Sequence, residues 1–271
     1  MITDWDDAYA NGAHIPGAED FPPMWDAEAS SFRAKLAAEK RAEFDLGYGP
    51  GDRETIDLFM PVGTPKGLMV FVHGGYWMKF SPKWFSHLAA GAVECGWAAA
   101  LPSYELAPAA AISEITQQIG QAIDVAARRI DGPIHIAGHS AGGHLVSRMV
   151  CADSPLSEAT RQRLKRVVSI SGLHDLRPLL KTEMNQTLKL DEAEARSESA
   201  ALNAPFGGPK IVCWVGSEER PEFLRQNDLL VNIWTGLGAD ISLYHDDDKH
   251  HFDVIEGLAT VDSRLTETLL G

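Results

Sequence analysis

The stretch "IHIAGHSAGGHL", residues 134–145, decides how the chain is read. Its first half is an apolar run that suits a strand buried on both faces, and its second half suits the start of a helix. Between them stands Gly138-His139-Ser140-Ala141-Gly142, the pattern G-x-S-x-G. On a sharp strand-to-helix turn the central serine takes a strained backbone position, and the two glycines remove side chains that would collide. The turn exposes the hydroxyl at the carboxyl edge of a sheet, where backbone N–H groups and the positive end of a helix can face an oxyanion. The pentapeptide alone is common by chance; a strand before it and a helix after it make Ser140 a candidate nucleophile. The competing reading is a glycine-rich turn whose serine only caps the helix.

Working outward, "ETIDLFMP" (54–61) alternates like a half-exposed strand and "GLMVFVHGG" (67–75) runs apolar like a buried one. Further strands are expected over 96–102, 133–138, 166–172, 210–216 and 240–245. Helical patterns fall between them, over 82–94, 111–130, 141–152, 221–236 and 252–270. The clearest has Ile112, Ile115, Ile119 and Ile123 at helical spacing. The alternation predicts an α/β fold: a mostly parallel central sheet flanked by helices, opened by an antiparallel pair from the two early strands. Residues 1–42 form an expected N-terminal arm, with helix formers throughout 28–43. Residues 177–205 are polar, helix-prone and inserted between two strands, and read as a small cap or lid, with a plain surface excursion as the alternative. The whole of 1–271 is read as one domain.

Composition narrows the function. The chain has 271 residues, 45% of them hydrophobic and 23% charged, which suits a folded globular protein. Acidic residues outnumber basic ones 38 to 24, a formal charge of −14 that repels phosphate backbones and anionic lipid, so nucleic acid is excluded as a partner. No apolar stretch approaches the ~18 residues needed to span a bilayer, so no membrane insertion is expected. The start "MITDWDDAYANG" is acidic and has no apolar run behind a basic start, so no secretory signal is expected. Cys95, Cys151 and Cys213 stand singly in apolar surroundings, as buried thiols in a reducing cytoplasm would.

A serine nucleophile needs a base, and the base an orienting acid, in the chain order serine, acid, histidine for this type of fold. In "DDDKHHFDVIE" His251 is the candidate base and His250 its neighbour and rival; Phe252 can anchor the loop that carries His251. For the acid, "WVGSEERPEF" places Glu218 and Glu219 just past the end of a strand. An oxyanion hole would draw on the N–H of Ala141 and on "HGGYW" (73–77), where Gly74 and Gly75 allow close backbone approach and Gly75 and Tyr76 supply N–H groups. His73 reads as a structural hydrogen-bonder of that loop. The crowd of His245, Asp246, Asp247, Asp248, His250 and His251 matches no helix-borne metal pair and reads as a solvated acidic turn, so no metal is expected. His14, His87, His135, His139, His144 and His174 carry no signal separable from packing or capping.

Taken together, "HGGYW", "SYELAP" (103–108), "GHSAGGHL", "SGLHDLRPL" (171–179), "PEFLRQ" (221–226) and "HHFDVIE" resemble the α/β-hydrolase superfamily. More narrowly they resemble its arylformamidase (kynurenine formamidase)-like group, related to esterases of the hormone-sensitive-lipase type. The early "DLGYGPGDRETIDLFMP" is similar to the opening strands of that group, so the resemblance covers nearly the whole chain. The resemblance implies an aspartate as acid two residues before "PEF"; here that position is Glu219, a departure that keeps Glu218 in contention. It also implies hydrolysis of N-formyl aromatic amides such as N-formylkynurenine, with Gly74, Tyr76 and Trp77 near the substrate, although both rings suit a core equally well. No cofactor is implied. A carboxylesterase or thioesterase for small acyl groups is the alternative activity, and a non-catalytic small-molecule-binding homologue a more distant one. The partner expected is thus a small acyl amide or ester, with a homodimer compatible.

Overall fold

The apolar runs become strands whose successive side chains feed two different cores. The computed structural model describes residues 2–271. Its strands are β1 (Ala42–Gly47), β2 (Thr55–Phe59), β3 (Leu68–Val72), β4 (Ala98–Pro102), β5 (Ile134–His139), β6 (Leu164–Ile170), β7 (Lys210–Gly216) and β8 (Ile241–Asp246). They form one sheet in the order β1-β2-β4-β3-β5-β6-β7-β8. Its helices are α1 (Trp5–Tyr9), α2 (Phe21–Ala38), α3 (Ala90–Glu94), α4 (Ile112–Arg129), α5 (Ala141–Arg148), α6 (Glu158–Arg163), α7 (Asn185–Leu188), α8 (Glu192–Ser197), α9 (Pro221–Gly236) and α10 (Arg264–Leu270). No helix among the described residues is long and apolar enough to cross a membrane.

Strand β3 explains why a parallel strand reads as an unbroken apolar run. Leu68, Val70 and Val72 point into one core with α4, α5 and α9, while Met69 and Phe71 point into the other with α2, α3 and α10. The same division holds for Ile211 and Cys213 against Val212 and Trp214 in β7. The four isoleucines of α4 are all buried on its sheet-facing side, as their spacing predicts.

The expected opening pair is corrected. Residues 54–61 do not pair with 67–75; β2 pairs antiparallel with β1 and with β4, and β3 lies between β4 and β5, parallel to both. Being apolar on both faces, β3 takes the centre of the sheet, where both faces are covered. Strand β1 escaped the strand reading because it is a half-exposed edge interrupted by a bulge, with Asp45 at φ 52°. Helix α2 begins earlier than expected, with Pro22 and Pro23 in its first turn, where a missing N–H costs nothing. It also ends earlier, closed by left-handed Lys40 and an Arg41 N–H that bonds the Leu36 carbonyl at 2.8 Å. The pattern over 252–270 is split, because Ser263 caps a separate helix by accepting from the Thr266 amide at 3.0 Å.

The inserted segment 177–205 is tied into the first core by Leu179, Leu188 and Ala195. Its Glu198 accepts from Thr116 Oγ1 at 2.6 Å and pairs with buried Arg148 at 3.3 Å.

Burial also sets the acid limit of this fold. Burial pushes His73 down to about 4, and His144 and His174 to about 3. An unfolded chain would protonate these rings near pH 6.5, whereas the folded one keeps them neutral, so their contribution is fully present above pH 6.5 and is lost as pH falls toward those values. Each such ring costs about 1.4 kcal/mol per pH unit once the unfolded form is protonated. Urea midpoints should therefore drop steeply between pH 6 and pH 4; a flat profile over that interval would contradict this account.

Candidate active site

The β5–α5 turn is built around close backbone contact. Ser140 sits at φ 55°, ψ −115°, and its amide donates to the Ile170 carbonyl at 2.8 Å. A Cβ on Gly138 would lie 2.2 Å from the Gly142 carbonyl oxygen, and one on Gly142 would lie 2.0 Å from that of Val72. No side chain fits at either place, which is the role the G-x-S-x-G spacing gives those glycines. Ala141 is the first residue of α5, so its N–H has no acceptor within the helix.

The acid and the base arrive from β7 and β8. Glu219 lies in the turn after β7 and His251 in the loop after β8, and His251 Nδ1 is 2.6 Å from Glu219 Oε2. A carboxylate only accepts, so Nδ1 carries the proton there and Nε2 keeps a lone pair. The other carboxylate oxygen of Glu219 accepts from the Gly216 amide at 3.0 Å and from the Ser171 hydroxyl. Glu218 is exposed, and its amide bonds the Lys249 carbonyl at 2.9 Å. Of the two glutamates, the structure brings Glu219 to the histidine. Of the two histidines, His250 turns away: its Nδ1 accepts from the Phe252 amide at 3.1 Å and its ring meets Phe21 edge-on.

Gly74 and Gly75 bring the "HGGYW" loop to the same place. A Cβ on Gly74 would stand 2.8 Å from the His139 carbonyl oxygen and 3.1 Å from Ser140 Cβ. Gly75 has φ 106°, where a Cβ would meet the Lys79 carbonyl at 2.5 Å. Tyr76 follows in left-handed conformation, and its hydroxyl donates to the Tyr9 carbonyl at 2.8 Å and accepts from Asn11 Nδ2 at 3.2 Å. Burial pushes this phenol above its ordinary pKa. His73 is buried, donates from Nδ1 to the Gly74 carbonyl at 2.7 Å and stacks on Tyr104.

Ser140, His251, Gly74, Gly75 and Tyr76 line one cavity of about 460 Å³. Its remaining walls include Pro22 and Trp25 from the N-terminal arm and Phe80, Phe85 and Phe252. None of 177–205 lines it, so the arm and not the inserted segment shapes the pocket. Trp77 is corrected: it is fully buried, lies outside the cavity wall and packs edge-on against His144, which makes it a core ring. Sequence reasoning missed Ser171, whose hydroxyl holds Glu219; it stands at φ 51°, and a single serine in "SGLHD" gives no signal of that contact. Among the described residues, no group of three or more His, Cys, Asp or Glu side chains is arranged to hold a metal ion.

Comparison with known proteins agrees with this architecture. A family profile described as the alpha/beta hydrolase fold matches residues 69–204. Kynurenine formamidase of Salmo salar is 29% identical over 237 residues, covering 83% of this chain and 80% of that one. The enzyme of the same name from Drosophila melanogaster is 26% identical over 240 residues, covering 83% and 79%. The crystal structure of a proposed thioesterase from Silicibacter sp. superposes with a TM-score of 0.92 at 52% identity, covering 99% of both chains. The sheet, the strand-to-helix serine turn and these matches together make the protein a member of the α/β-hydrolase fold family.

Proposed function

We propose that this chain is a serine hydrolase that cleaves a small acyl amide or ester through a Ser-His-acid triad and an acyl-enzyme, with N-formyl aromatic amides of the N-formylkynurenine type as preferred substrates. One observation carries the reading: the His251 imidazole, bonded through Nδ1 to Glu219, faces the cavity that Ser140 also lines. Ser140 attacks the carbonyl while His251 Nε2 takes its proton, and Glu219 orients the ring and stabilises the imidazolium. The N–H groups of Gly75, Tyr76 and Ala141 donate to the tetrahedral oxyanion, each worth roughly 3 to 4 kcal/mol of transition-state stabilisation. His251 then protonates the departing amine. It next takes a proton from water, which attacks the acyl-enzyme and releases the acid and the free serine. The scheme calls for no metal or organic cofactor. Gly74 lets the acyl group approach the backbone, and Tyr76 with the aromatic wall receives the leaving group.

The formamidase reading is supported by the relatives of that name and by an aromatic-walled cavity of about 460 Å³, room for one aryl leaving group. The identity with the Silicibacter protein favours a second reading, thioester or ester hydrolysis by the same residues. Three free thiols, at Cys95, Cys151 and Cys213, suit work in the cytoplasm.

Comparing kcat/KM for N-formylkynurenine, p-nitrophenyl acetate and acetyl-CoA separates the two substrate readings; a formamidase turns over the first at least tenfold better than the others. Ser140→Ala should abolish turnover of all three and labelling by a fluorophosphonate while leaving the unfolding midpoint near wild type; retained activity sinks the mechanism. Glu219→Gln should lower kcat by about 10³- to 10⁴-fold, because the amide cannot hold the proper tautomer of the base. The same change at Glu218 should have little effect, and the reverse ranking would reassign the acid.

A further inference from the structure

The steps above make no use of His139, the residue between Gly138 and Ser140. Its ring centroid lies 4.6 Å from that of His251, tilted by 41°. The ring of Phe223 lies 4.5 Å from His251 as well, tilted by 58°. His251 itself sits in an irregular turn after β8, whereas His139 is the last residue of β5, paired with Ile170 of β6, and Phe223 belongs to α9. A loop-borne ring is thus seated against one side chain from a strand and one from a helix, and regular elements hold geometry better than loops do.

We propose that His139 is a positioning residue for the general base: with Phe223 it fixes the plane of the His251 ring, and through its contact with Gly74 it sets that ring relative to the oxyanion loop. This deepens the serine-hydrolase reading and rests on it. The contact with Gly74 is close, since a Cβ there would lie 2.8 Å from the His139 carbonyl oxygen and 3.4 Å from its Nδ1. His139 therefore touches the oxyanion loop and the base and is bonded to the nucleophile, so a shift in one is felt by the others.

What His139 contributes is a flat face. The ring lines the cavity, and its Nε2 is buried with no hydrogen-bond partner within the protein. Burial and the neighbouring His251 hold its pKa well below that of an ordinary histidine, so it stays neutral while His251 gains a proton. A cation at this distance would oppose the imidazolium. Of the charged groups around His251, Glu219 is bonded at Nδ1, Glu19 and Lys79 line the same cavity, and His250 and Asp253 are engaged with each other in the adjoining turn.

The test uses the full-length protein with p-nitrophenyl acetate as probe, measuring kcat, KM and the pH dependence of kcat/KM, with urea unfolding to confirm that each variant is folded. His139→Ala should lower kcat about 10- to 100-fold with KM within about threefold, as expected for a misaligned base. His139→Phe should recover kcat to within about threefold of wild type, because it restores the face without the nitrogens. His139→Asp should move the acidic limb of kcat/KM upward by about one pH unit, since a carboxylate in contact favours the imidazolium. Wild-type kcat in His139→Ala, a folded His139→Phe as slow as His139→Ala, or an unmoved limb in a folded His139→Asp each overturns the proposal. Should the aspartate variant unfold, the other two still decide. A Ser140→Ala protein that still turns over would instead overturn the serine mechanism, a separate result.

Discussion

The fold around the candidate site depends on one steric constraint: strand β3, strand β5 and helix α5 meet so closely at the serine turn that two positions cannot carry a side chain. Gly142 lies under the Val72 carbonyl and Gly138 under that of Gly142, with Cβ distances of 2.0 and 2.2 Å. This proximity forces the chain to reverse within one residue, so Ser140 is left-handed at a cost of about 1 to 3 kcal/mol. The cost is offset by the surroundings, since β5 is hydrogen-bonded on both sides and α5 is wholly buried. Because β3 and β5 are neighbours, the residues leaving β3 must pass beside Ser140. Only glycine permits that passage at position 74.

The other half of the site obeys a similar rule. A Cβ on Gly216 would lie 2.2 Å from the Lys249 carbonyl oxygen, so the turn after β7 and the loop after β8 are packed backbone to backbone. The Glu218 amide bonds the same carbonyl, which leaves Glu219 facing inward and Glu218 outward. Relative to an aspartate, Glu219 has one more methylene and hence one more torsion to fix. The Gly216 amide and the Ser171 hydroxyl do this by holding one carboxylate oxygen while the other reaches His251. The longer side chain is thus fixed at both carboxylate oxygens, one held by Gly216 and Ser171 and the other by His251.

The sheet and the serine turn were legible because they rest on local rules: apolar runs for buried parallel strands, helical spacing in α4, and glycines that bracket Ser140. The edge strand β1 was not: Ala42-Glu43-Phe44-Asp45-Leu46 does alternate, but the strand is short, half-exposed and bulged, and the helix formers of 28–43 run into its start. Neighbouring candidates such as Glu218 and Glu219, or His250 and His251, cannot be separated by pattern, because one residue of register decides which side chain faces inward. Trp77 and Tyr76 are adjacent and both aromatic, yet one is a core ring and the other lines the cavity; backbone torsions at 75–77 make that difference, and no local rule specifies them. Ser171 shows the same limit, for its partner is 48 positions away.

The N-terminal arm adds what the sheet cannot supply. A bare sheet edge would leave the serine and the histidine in open water, where oxyanion stabilisation is weak. Phe21 and Trp25 of α2 pack on Phe252 at 5.6 and 5.4 Å, and Trp25 also meets Phe80 and Phe85. Phe252 is bonded to His251, so Trp25, a ring of the cavity wall, also seats the loop that carries His251. Farther along the arm, Arg220 pairs with Asp7, and Tyr9 donates to buried Glu222 at 2.8 Å, so the arm is also pinned to the residues just after Glu219. The arm could not leave without stripping apolar cover from Phe252 and taking the Tyr9 hydrogen bond from Glu222, which Arg225 and Gln226 also hold. The cavity wall and the loop that carries His251 therefore share one packed cluster, and a change to the arm reaches the histidine without touching it.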